Sequence, residues 1–262
     1  MADKIKNLIE SFNGKKVLVA YSGGSDSSAL LHILKSSPKV DVIAITIKGA
    51  HIPELEFNRA KKFCKKFGVE HKILNVDILK VEGLDKNDKN RCYFCKTKAF
   101  SLLKDEAKKL NADIIVDGTN LDDKGDYRPG MKALKELGIF SPFLHFQIGK
   151  KEIFDYLDSH NLEEFKQPSN ACLISRVAYG EELSEELLEK IDVAEEFLRE
   201  LGFRQVRTRI HNNLVRLEIE KDKFPDFFKL SEEINNKLKS LGFKFVTFDL
   251  EGYRTGSLNE NL

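Results

Sequence analysis

Apolar residues in the first 160 positions form short β-rich runs that alternate with segments of helical periodicity. Strands are predicted at Lys16–Tyr21, Asp41–Ile47, His71–Val76 and Asp113–Asp117, the first of them buried, with a further short strand at Phe140–Phe143. Helices are predicted at Ser27–Ser36, Pro53–Phe67, Thr97–Leu110 and Lys150–His160. This order predicts an α/β fold, a doubly wound parallel sheet with helices on both faces.

The pattern changes near residue 165. An irregular segment, Gln167–Tyr179, precedes a helix, two strands, a helix and a last strand, predicted at Ser184–Leu201, Gln205–Ile210, Leu214–Glu220, Phe224–Leu241 and Phe243–Leu250. The sequence therefore predicts two domains, a larger α/β domain over residues 1–165 and a smaller α+β domain over residues 166–262.

The charge and hydropathy of the chain bear on whether it binds nucleic acid or a membrane. The chain has 262 residues, of which 43 are basic and 42 acidic. This balance does not point to duplex nucleic acid, although it leaves room for a small basic pocket. The N-terminus is charged throughout, and no apolar run approaches the roughly 18 residues of a membrane span. We expect a cytoplasmic protein without a membrane partner.

The segment that joins the first predicted strand to the first predicted helix has the composition of a phosphate-binding loop. Gly23 and Gly24 permit close approach of the backbone to an anion, and the hydroxyls of Ser22 and Ser27 add donors. Asp26 is unusual beside an anion and is expected to hold Mg²⁺ that bridges to the phosphates. The pattern is not that of a Walker-type loop. An ordinary Ser/Gly turn that caps a helix is the structural alternative.

Cysteines carry the second candidate chemistry. Cys92 and Cys95 form a CxxC motif, Cys172 lies in the irregular segment, and Cys64 lies on an apolar helix face that indicates a buried thiol. In a reducing compartment, this spacing suggests metal binding or catalysis. A lone CxxC is compatible with half a zinc site, an iron–sulfur site, a redox pair or chance. Three cysteines suit a [4Fe–4S] cluster with one iron left open.

The strand, the SGGSDS loop and the helix together resemble the PP-loop ATP pyrophosphatases. Further strings, among them RCYFCK, PSNACLISRVAYGEEL, VRTRIHNNLVRLEI and FDLEGYRTGSLN, look like the LarE family of ATP-dependent sulfur transferases, and this resemblance covers nearly the whole chain. It implies cleavage of ATP between its α- and β-phosphates, adenylation of a carboxylate and displacement of AMP by sulfur. Residues 1–165 would be the PP-loop ATP pyrophosphatase domain, and residues 166–262 would act in substrate binding and sulfur transfer.

Two branches of that family differ in their sulfur source. One gives up the sulfur of the cysteine in the ACLxSR motif, here Cys172, and keeps dehydroalanine. The other also has the CxxC motif and is expected to bind a [4Fe–4S] cluster whose open iron carries exogenous sulfide. Cys92, Cys95 and Cys172 match the second branch. The resemblance thus implies ATP, Mg²⁺ and a [4Fe–4S] cluster as cofactors. It also implies a mononucleotide-like carboxylate substrate, sulfide or a sulfur donor protein, and a homo-oligomer.

Residues at the predicted ligand edge of the sheet complete the nucleotide site. By the same resemblance, Gly118 and Thr119 close over the nucleotide. Thr46 and Ile47, which follow the second strand, are expected to line the adenine pocket, and Arg128 is expected to contact a ligand. Ordinary turns and core packing are the structural alternatives at these positions.

Arginines mark the smaller domain. Arg207 and Arg209 are two positions apart on one predicted strand, so they face the same side of it and suit a phosphate or a carboxylate. In the LarE family the corresponding arginines form an anion site that fits a mononucleotide phosphate. Glu218 and Arg254 are expected to belong to this binding site, whereas the structural alternative is a solvated strand face with pairing to Glu218. The residues expected to act in the reaction itself are Cys172, Asp26, Arg207 and Arg209.

Other functions stay open from the residues alone. A tRNA thiolase would share the fold and could share the cluster, although the chain has no basic excess. An amidotransferase-type synthetase would need an ammonia source, and the sequence has no glutaminase segment. A nucleotide-binding regulator or an iron–sulfur carrier would differ from these enzymes because it would not release pyrophosphate.

Overall fold

A computed structural model describes residues 2–84, 87–125, 129–166 and 171–254. Within its N-terminal part, parallel strands lie at Lys16–Ala20 (β1), Asp41–Lys48 (β2), Glu70–Asn75 (β3) and Ile114–Val116 (β4), and form one sheet in the order β3-β2-β1-β4. Helices span Ala2–Glu10 (α1), Ser25–Lys35 (α2), Glu54–Phe67 (α3), Arg91–Lys109 (α4), Pro129–Glu136 (α5), Pro142–His145 (α6) and Lys150–Ser159 (α7). Short 3₁₀ helices lie at Ile78–Lys80, Leu121–Gly125 and Glu163–Phe165. The predicted α/β fold is confirmed.

Alternate residues of β1 send their side chains to opposite faces of the sheet. Val17 and Val19 pack in an apolar cluster with residues of α1, α2, α3 and α7. Leu18 packs in a second cluster with Phe100 and Leu103 of α4. Because helices cover both faces, β1 and β2 must be apolar on both sides, and this requirement explains their nearly continuous apolar runs, whereas β3 at the edge of the sheet has no fully buried residue.

The strand order creates a switch point between β1 and β4. The chain adds β2 and β3 on one side of β1 and then returns to add β4 on the other side. Val17 pairs with Ile114, and Val19 pairs with Val116. The loops that follow β1 and β4 therefore start side by side at the carboxyl edge of the sheet, where open parallel sheets bind ligands.

Two predicted elements of this unit differ from the structure. The strand predicted at Phe140–Phe143 is a single bridge between Phe140 and Val116, because Pro142 begins the short helix α6. The helix predicted to start at Thr97 starts at Arg91 and so includes the CxxC motif in its first turns.

The residues from 171 onward form a second unit with its own sheet. In its described part, β5 (Val206–His211) and β6 (Leu214–Ile219) form an antiparallel hairpin, and β7 (Phe245–Phe248) runs parallel to β6. Helices span Glu185–Glu200 (α8), Phe224–Lys229 (α9) and Ser231–Ser240 (α10), and 3₁₀ helices span Leu173–Arg176 and Lys221–Lys223. The single helix predicted over residues 224–241 is thus divided at Leu230, where the hydroxyl of Ser231 donates to the carbonyl of Phe228.

Residues Glu82–Lys89 also belong to the second unit, although they precede α4 in the chain. Asn87 is fully buried there, with a left-handed φ of 42°. Its side-chain amide donates to the carbonyl oxygens of Ala178 at 2.9 Å and Glu181 at 3.3 Å, and its own carbonyl accepts the N–H of Gly180. The predicted boundary at residue 165 placed this segment in the first domain. The roles predicted for the two domains stay predictions.

None of the helices in the described ranges combines the length and the apolar character that crossing a membrane would require.

We expect Asn87→Asp to destabilise the second unit. The substitution keeps the size and the tolerance of a positive φ, but it places a carboxylate against two carbonyl oxygens that now lack their donor. The free energy of unfolding in urea should fall by about 1–3 kcal/mol, and amide exchange at Gly180 should accelerate. Asn161→Asp, at an exposed left-handed position of the first unit, is the matched control. Equal stability of the wild type and Asn87→Asp would contradict this role.

Candidate active site

The loop after β1 turns sharply into α2. Gly23 has a φ of 80°, and a Cβ atom at this position would lie 2.6 Å from the carbonyl oxygen of Glu56 in α3. Only glycine meets both conditions. Gly24 is the N-cap of α2, with φ −77° and ψ 166°, and its carbonyl accepts the N–H of Ser28. Because the helix begins at Ser25, two residues earlier than predicted, Asp26 lies in its first turn.

Hydroxyl groups hold the shape of this loop. The Oγ atoms of Ser22 and Ser27 are 3.0 Å apart, and the Ser27 hydroxyl donates to the carbonyl of Gly24 at 3.1 Å. The N–H of Gly24 reaches the Oγ of Ser22 at 3.3 Å. The chain's own bonds thus form a cradle of amides and hydroxyls at a helix N-terminus, an arrangement that suits phosphate.

The loop after β4 approaches the same helix end. A Cβ atom at Gly118 would lie 2.8 Å from the backbone nitrogen of Ser27, so the two loops meet through backbone atoms. Asp117, at the end of β4, accepts hydrogen bonds from Thr119 Oγ1 at 2.5 Å and Ser141 Oγ at 2.6 Å. These bonds fix the direction in which residues 118–120 leave the sheet.

Asp26 is held between two donors from different elements. Lys150, the first residue of α7, places its Nζ 2.6 Å from Oδ1 of Asp26, and Asn120 Nδ2 lies 3.3 Å from Oδ2. Burial raises the pKa of Asp26 above its ordinary value, and the hydrogen bond and charge of Lys150 oppose that rise. The carboxylate is therefore partly desolvated and balanced by a cation.

A cavity of about 320 Å³ lies at this edge of the sheet, in the size range of small-molecule sites. Both loops, α3, α4 and the start of α7 line it. Among the described residues around it, the cationic ones are Arg59, Lys96 and Lys150. The glycine backbone amides, the hydroxyl donors and the three cationic side chains are the groups that bind the oxygens of a polyphosphate.

The CxxC motif lies on the helix that lines this cavity. Cys92 is exposed and Cys95 is half-buried, both in the first turns of α4. Lys96 and Phe100, which follow on the same helix, line the cavity. Cys92 and Lys96 are four residues apart, and so are Lys96 and Phe100, so all three share one face of α4. Cys92 thus lies one turn before Lys96 on the same helix, although neither cysteine is among the described residues that line the cavity.

Cys64 differs from these cysteines. It is buried in the apolar cluster beneath α3, and burial raises the pKa of its thiol to about 12. The prediction of a buried thiol is confirmed.

In the ranges that the structure describes, no group of three or more His, Cys, Asp and Glu side chains is arranged to hold a metal ion. For magnesium this fits the donor set, since Mg²⁺ commonly takes one or two protein carboxylates and draws its other ligands from phosphates and water. Asp26 offers such a carboxylate beside the phosphate cradle.

The residues expected to line the adenine pocket, Thr46 and Ile47, do not line the cavity in the described structure. Thr46 is 1% exposed, and its hydroxyl donates to the carbonyl of Tyr21 at 2.8 Å and lies 2.8 Å from Nε2 of His71. Ile47 packs against the apolar cluster on the α4 side of the sheet. Neither residue is among the described residues that line the cavity. Arg128 lies outside the described residues.

In the second unit, Arg207 is a buried guanidinium without an ion pair in the described part of the chain. It is 6% exposed and donates to the carbonyl of Val206 and to the Tyr253 hydroxyl, and its guanidinium lies 5.0 Å from the Tyr253 ring centre. Burial lowers the pKa of Arg207 to about 10, and the nearby charge of Arg176 acts in the same direction. A buried cation of this kind is stabilised by an anion.

Among the described residues, Arg209, unlike Arg207, has a carboxylate partner. It pairs with the fully buried Glu218 through two bonds of 3.1 Å and donates to the carbonyl of Ser175 at 2.8 Å. Arg216 contacts Glu218 and Asp249, and Arg254 lies 3.8 Å from Asp249. Arg209, Glu218 and Arg254 are therefore connected in one network of charges through Arg216 and Asp249, and in the described part of the unit Arg207 is not part of it. Pairing to Glu218 does occur, but Arg207 and Arg209 are both buried instead of facing solvent.

The same unit fixes the backbone at Cys172. Arg176 and Glu195 are both fully buried and form a two-bond ion pair at 2.8 Å. The remaining nitrogen of Arg176 donates to the carbonyls of Ala171 and Cys172. Burial alone would raise the pKa of Glu195, but the charge and hydrogen bond of Arg176, together with the charges of Arg199 and Arg207, outweigh it, and the pKa falls to about 2. Glu195 also accepts the N–H of Thr208, the residue between the two predicted arginines.

Sequence reasoning missed several cavity residues. Lys150, Arg59 and Lys96 were not assigned a role, although all three line the cavity. One signal was available for Lys150, because a lysine at the first position of a helix opposes the helix dipole. Lys96 directly follows the CxxC motif. Arg59 lies in a helix with many lysines and offers no such signal.

Comparisons with known proteins agree with this geometry. A family model described as a PP-loop domain matches residues 1–127. The chain is 41% identical over 253 residues to an uncharacterized protein of Methanocaldococcus jannaschii, covering 96% of each chain. It is 30% identical over 249 residues to the pyridinium-3,5-bisthiocarboxylic acid mononucleotide synthase of Lactiplantibacillus plantarum, covering 95% of this chain and 90% of that one. A tRNA(Ile)-lysidine synthase of Bdellovibrio bacteriovorus is 28% identical over 183 residues, or 63% of this chain and 54% of the relative.

The sheet, its loop and the family match define an ATP-binding PP-loop protein. Since the similarity to the Lactiplantibacillus synthase extends over nearly the whole chain, the protein belongs to the LarE family of ATP-dependent sulfur transferases.

We expect Gly24→Val to remove ATP binding while the fold survives. The backbone angles of Gly24 are extended and are open to any residue. A Cβ atom at this position would meet only the Ser22 hydroxyl, at 3.3 Å. The branched side chain would therefore occupy phosphate space without breaking the loop. Calorimetry with ATP and Mg²⁺ should show at least a tenfold loss of affinity, or about 1.4 kcal/mol. Unchanged affinity in a folded variant would place the phosphate site elsewhere. Gly23→Ala is the contrasting variant and should disturb the loop itself.

Proposed function

We propose that this protein uses ATP with Mg²⁺ to convert a carboxylate of a mononucleotide-like substrate into a thiocarboxylate. The observation that supports the proposal is that the loop Ser22–Ser27 and the helix that carries the CxxC motif line one cavity, the helix through Lys96 and Phe100. The name of the Lactiplantibacillus relative supports the substrate class, because its product is a bisthiocarboxylic acid mononucleotide.

The reaction divides into activation and transfer. A carboxylate oxygen of the substrate attacks the α-phosphorus of ATP, the bond to the bridging oxygen breaks, and pyrophosphate leaves with that electron pair. A sulfur nucleophile then attacks the acyl carbon, and AMP leaves with the former carboxylate oxygen. Division into two displacements lowers each barrier, as in covalent catalysis generally.

Activation depends on the first unit. The amides of the first turn of α2 and the hydroxyls of Ser22 and Ser27 would bind phosphate oxygens, with Gly118 and Thr119 closing the other side. Arg59 and Lys96 would balance the charge on the leaving pyrophosphate. Asp26 would hold a Mg²⁺ ion, which would neutralise charge on the leaving pyrophosphate.

Substrate binding depends on the second unit. Arg207 is buried and lacks an ion pair among the described residues, so an anionic group of the substrate would complete its environment. Arg209 is already bound by Glu218 and would act beside it, and Arg254 adds a further cation near Asp249. A mononucleotide phosphate supplies pairs of oxygen acceptors that a guanidinium can bind with two parallel hydrogen bonds.

Cys92, Cys95 and Cys172 would hold a [4Fe–4S] cluster, whose remaining iron would supply the sulfide for transfer. Three observations support this set. Cys92 is exposed, Cys95 and Cys172 are half-buried, and Arg176 fixes the backbone at Cys172. Free sulfide or a sulfur donor protein would replenish the sulfur. The cytoplasmic location and the homo-oligomer expected from the sequence stay predictions.

We expect Cys92→Ala, Cys95→Ala and Cys172→Ala each to abolish both the iron content and the sulfur transfer of anaerobically purified protein, since each removes a thiolate ligand. Cys64→Ala is the control and should keep both, because its thiol is buried in the apolar core. Iron and sulfide analysis and the visible spectrum measure the cluster.

The sacrificial alternative gives the opposite result. Cys92→Ala and Cys95→Ala would stay active, and mass spectrometry after turnover would show a loss of about 34 Da at Cys172, one H₂S. Pyrophosphate release separates both models from a regulator or carrier. Stimulation by tRNA in place of a pyridinium carboxylate mononucleotide would indicate a tRNA thiolase.

We expect Arg207→Ala to weaken binding of a pyridinium mononucleotide and to leave ATP binding nearly unchanged. Loss of one charge-assisted contact corresponds to about 1.5–3 kcal/mol, or roughly ten- to over a hundredfold in affinity. Calorimetry with each ligand measures the two affinities. A fall in ATP affinity instead would assign Arg207 to the nucleotide site.

A further inference from the structure

The ion pair between Lys150 and Asp26 occupies the carboxylate that the proposed nucleotide site needs for its metal. Lys150 Nζ lies 2.6 Å from Asp26 Oδ1, and the two side chains are 30% and 27% exposed. We propose that Lys150 is a built-in counter-cation that leaves Asp26 when ATP and the metal bind, and that its ammonium group then binds phosphate oxygens. This inference rests on the nucleotide site of the proposed function, and it does not depend on how sulfur is transferred.

The placement of Lys150 in α7 supports an exchangeable role. As the first residue of the helix, it lies where the helix dipole disfavours a cation, so the lysine has no local helical reason to be there. Its backbone N–H is bound by Asp122, and its Nζ lies 4.9 Å from the ring centre of Phe154. The backbone is thus fixed, while the ammonium group sits at the end of four flexible methylenes.

The hydrogen bonds of Asp26 favour the exchange, because the shorter of the two holds the ammonium group of Lys150 on Oδ1. Oδ1 is bound by Lys150 at 2.6 Å, and Oδ2 accepts the longer bond from Asn120 at 3.3 Å. Mg²⁺ binds a carboxylate oxygen at about 2.1 Å and tolerates little distortion. A metal on Oδ1 would therefore place two cations in contact unless the ammonium group moves away.

Acceptors for the displaced ammonium group would arrive with the nucleotide. Lys150 lines the same cavity as the glycine loop, so phosphate oxygens bound there come within its reach. The other charged residues around this cavity are Arg59, Lys96, Glu56, Asp117 and Asp123. Without nucleotide, Lys150 balances Asp26; with nucleotide and metal, the metal takes over that charge and Lys150 neutralises phosphate.

The test measures metal binding without nucleotide. Mn²⁺ replaces Mg²⁺, and electron paramagnetic resonance counts the free ion in titrations of nucleotide-free protein. Lys150→Met should bind Mn²⁺ roughly three- to fivefold more tightly than the wild type, the effect expected from removal of one partly exposed ion pair. Lys150→Arg should stay near the wild type. Lys151→Met, which changes the exposed neighbouring lysine, is the matched control and should match the wild type.

A second titration measures the other half of the exchange. With Mg²⁺ at saturation, so that the metal and not Lys150 compensates Asp26, calorimetry should show that Lys150→Met binds ATP about tenfold more weakly, because the ammonium contact to phosphate is lost. Addition of Asp26→Asn to Lys150→Met should remove the gain in Mn²⁺ affinity. A folded Lys150→Met with unchanged Mn²⁺ affinity, or a gain that survives Asp26→Asn, overturns the exchange. Failure of sulfur transfer would leave both titrations unaffected and would count only against the proposed function.

Discussion

The backbone at Gly23 lies so close to α3 that a Cβ atom there would be 2.6 Å from the Glu56 carbonyl oxygen. The loop after β4 makes an equally close approach, with Gly118 against the start of α2. These two contacts between backbones bring the ends of β1 and β4 to one cavity at the switch point of the sheet. Every other part of the nucleotide site, from the serine hydroxyls to Asp26, takes its position from this close packing of main chain.

The second unit relies on a different constraint, the burial of charge. Arg176 and Glu195 have no exposure and bind each other through two hydrogen bonds, and the remaining nitrogen of Arg176 donates to the carbonyl of Cys172. Substitution of one partner would leave the other charge buried and uncompensated, which strongly destabilises a protein. Arg207 lies beside this network with its pKa lowered to about 10. A site with that character favours an anionic ligand over a neutral one of the same shape.

The sequence predicted β1, β2 and the phosphate loop well, because buried parallel strands are nearly continuous apolar runs and glycines mark a close backbone approach; β3, at the edge of the sheet, was found although it is mostly exposed or half-buried. The sequence placed the start of α4 six residues late, since Arg91–Lys96 has no apolar periodicity. The pairing of Lys150 with Asp26 joins residues 124 positions apart, and local patterns carry no information about such a contact. For the same reason, the sequence could not separate Arg209, bound to Glu218, from Arg207.

The insertion of residues 82–89 into the second unit affects how the protein can be made and divided. During synthesis, Asn87 and the buried Leu84 emerge about 90 residues before Ala178 and Glu181, so their partners are absent until most of the chain exists. A fragment that starts at residue 171 would lack part of its own interior. Gene fusions and truncations that treat the C-terminal part as a detachable module should therefore yield an incompletely folded product. Each unit has its own internal contacts, but the second consists of two separate stretches of sequence, so a single cut in the chain cannot separate the two units.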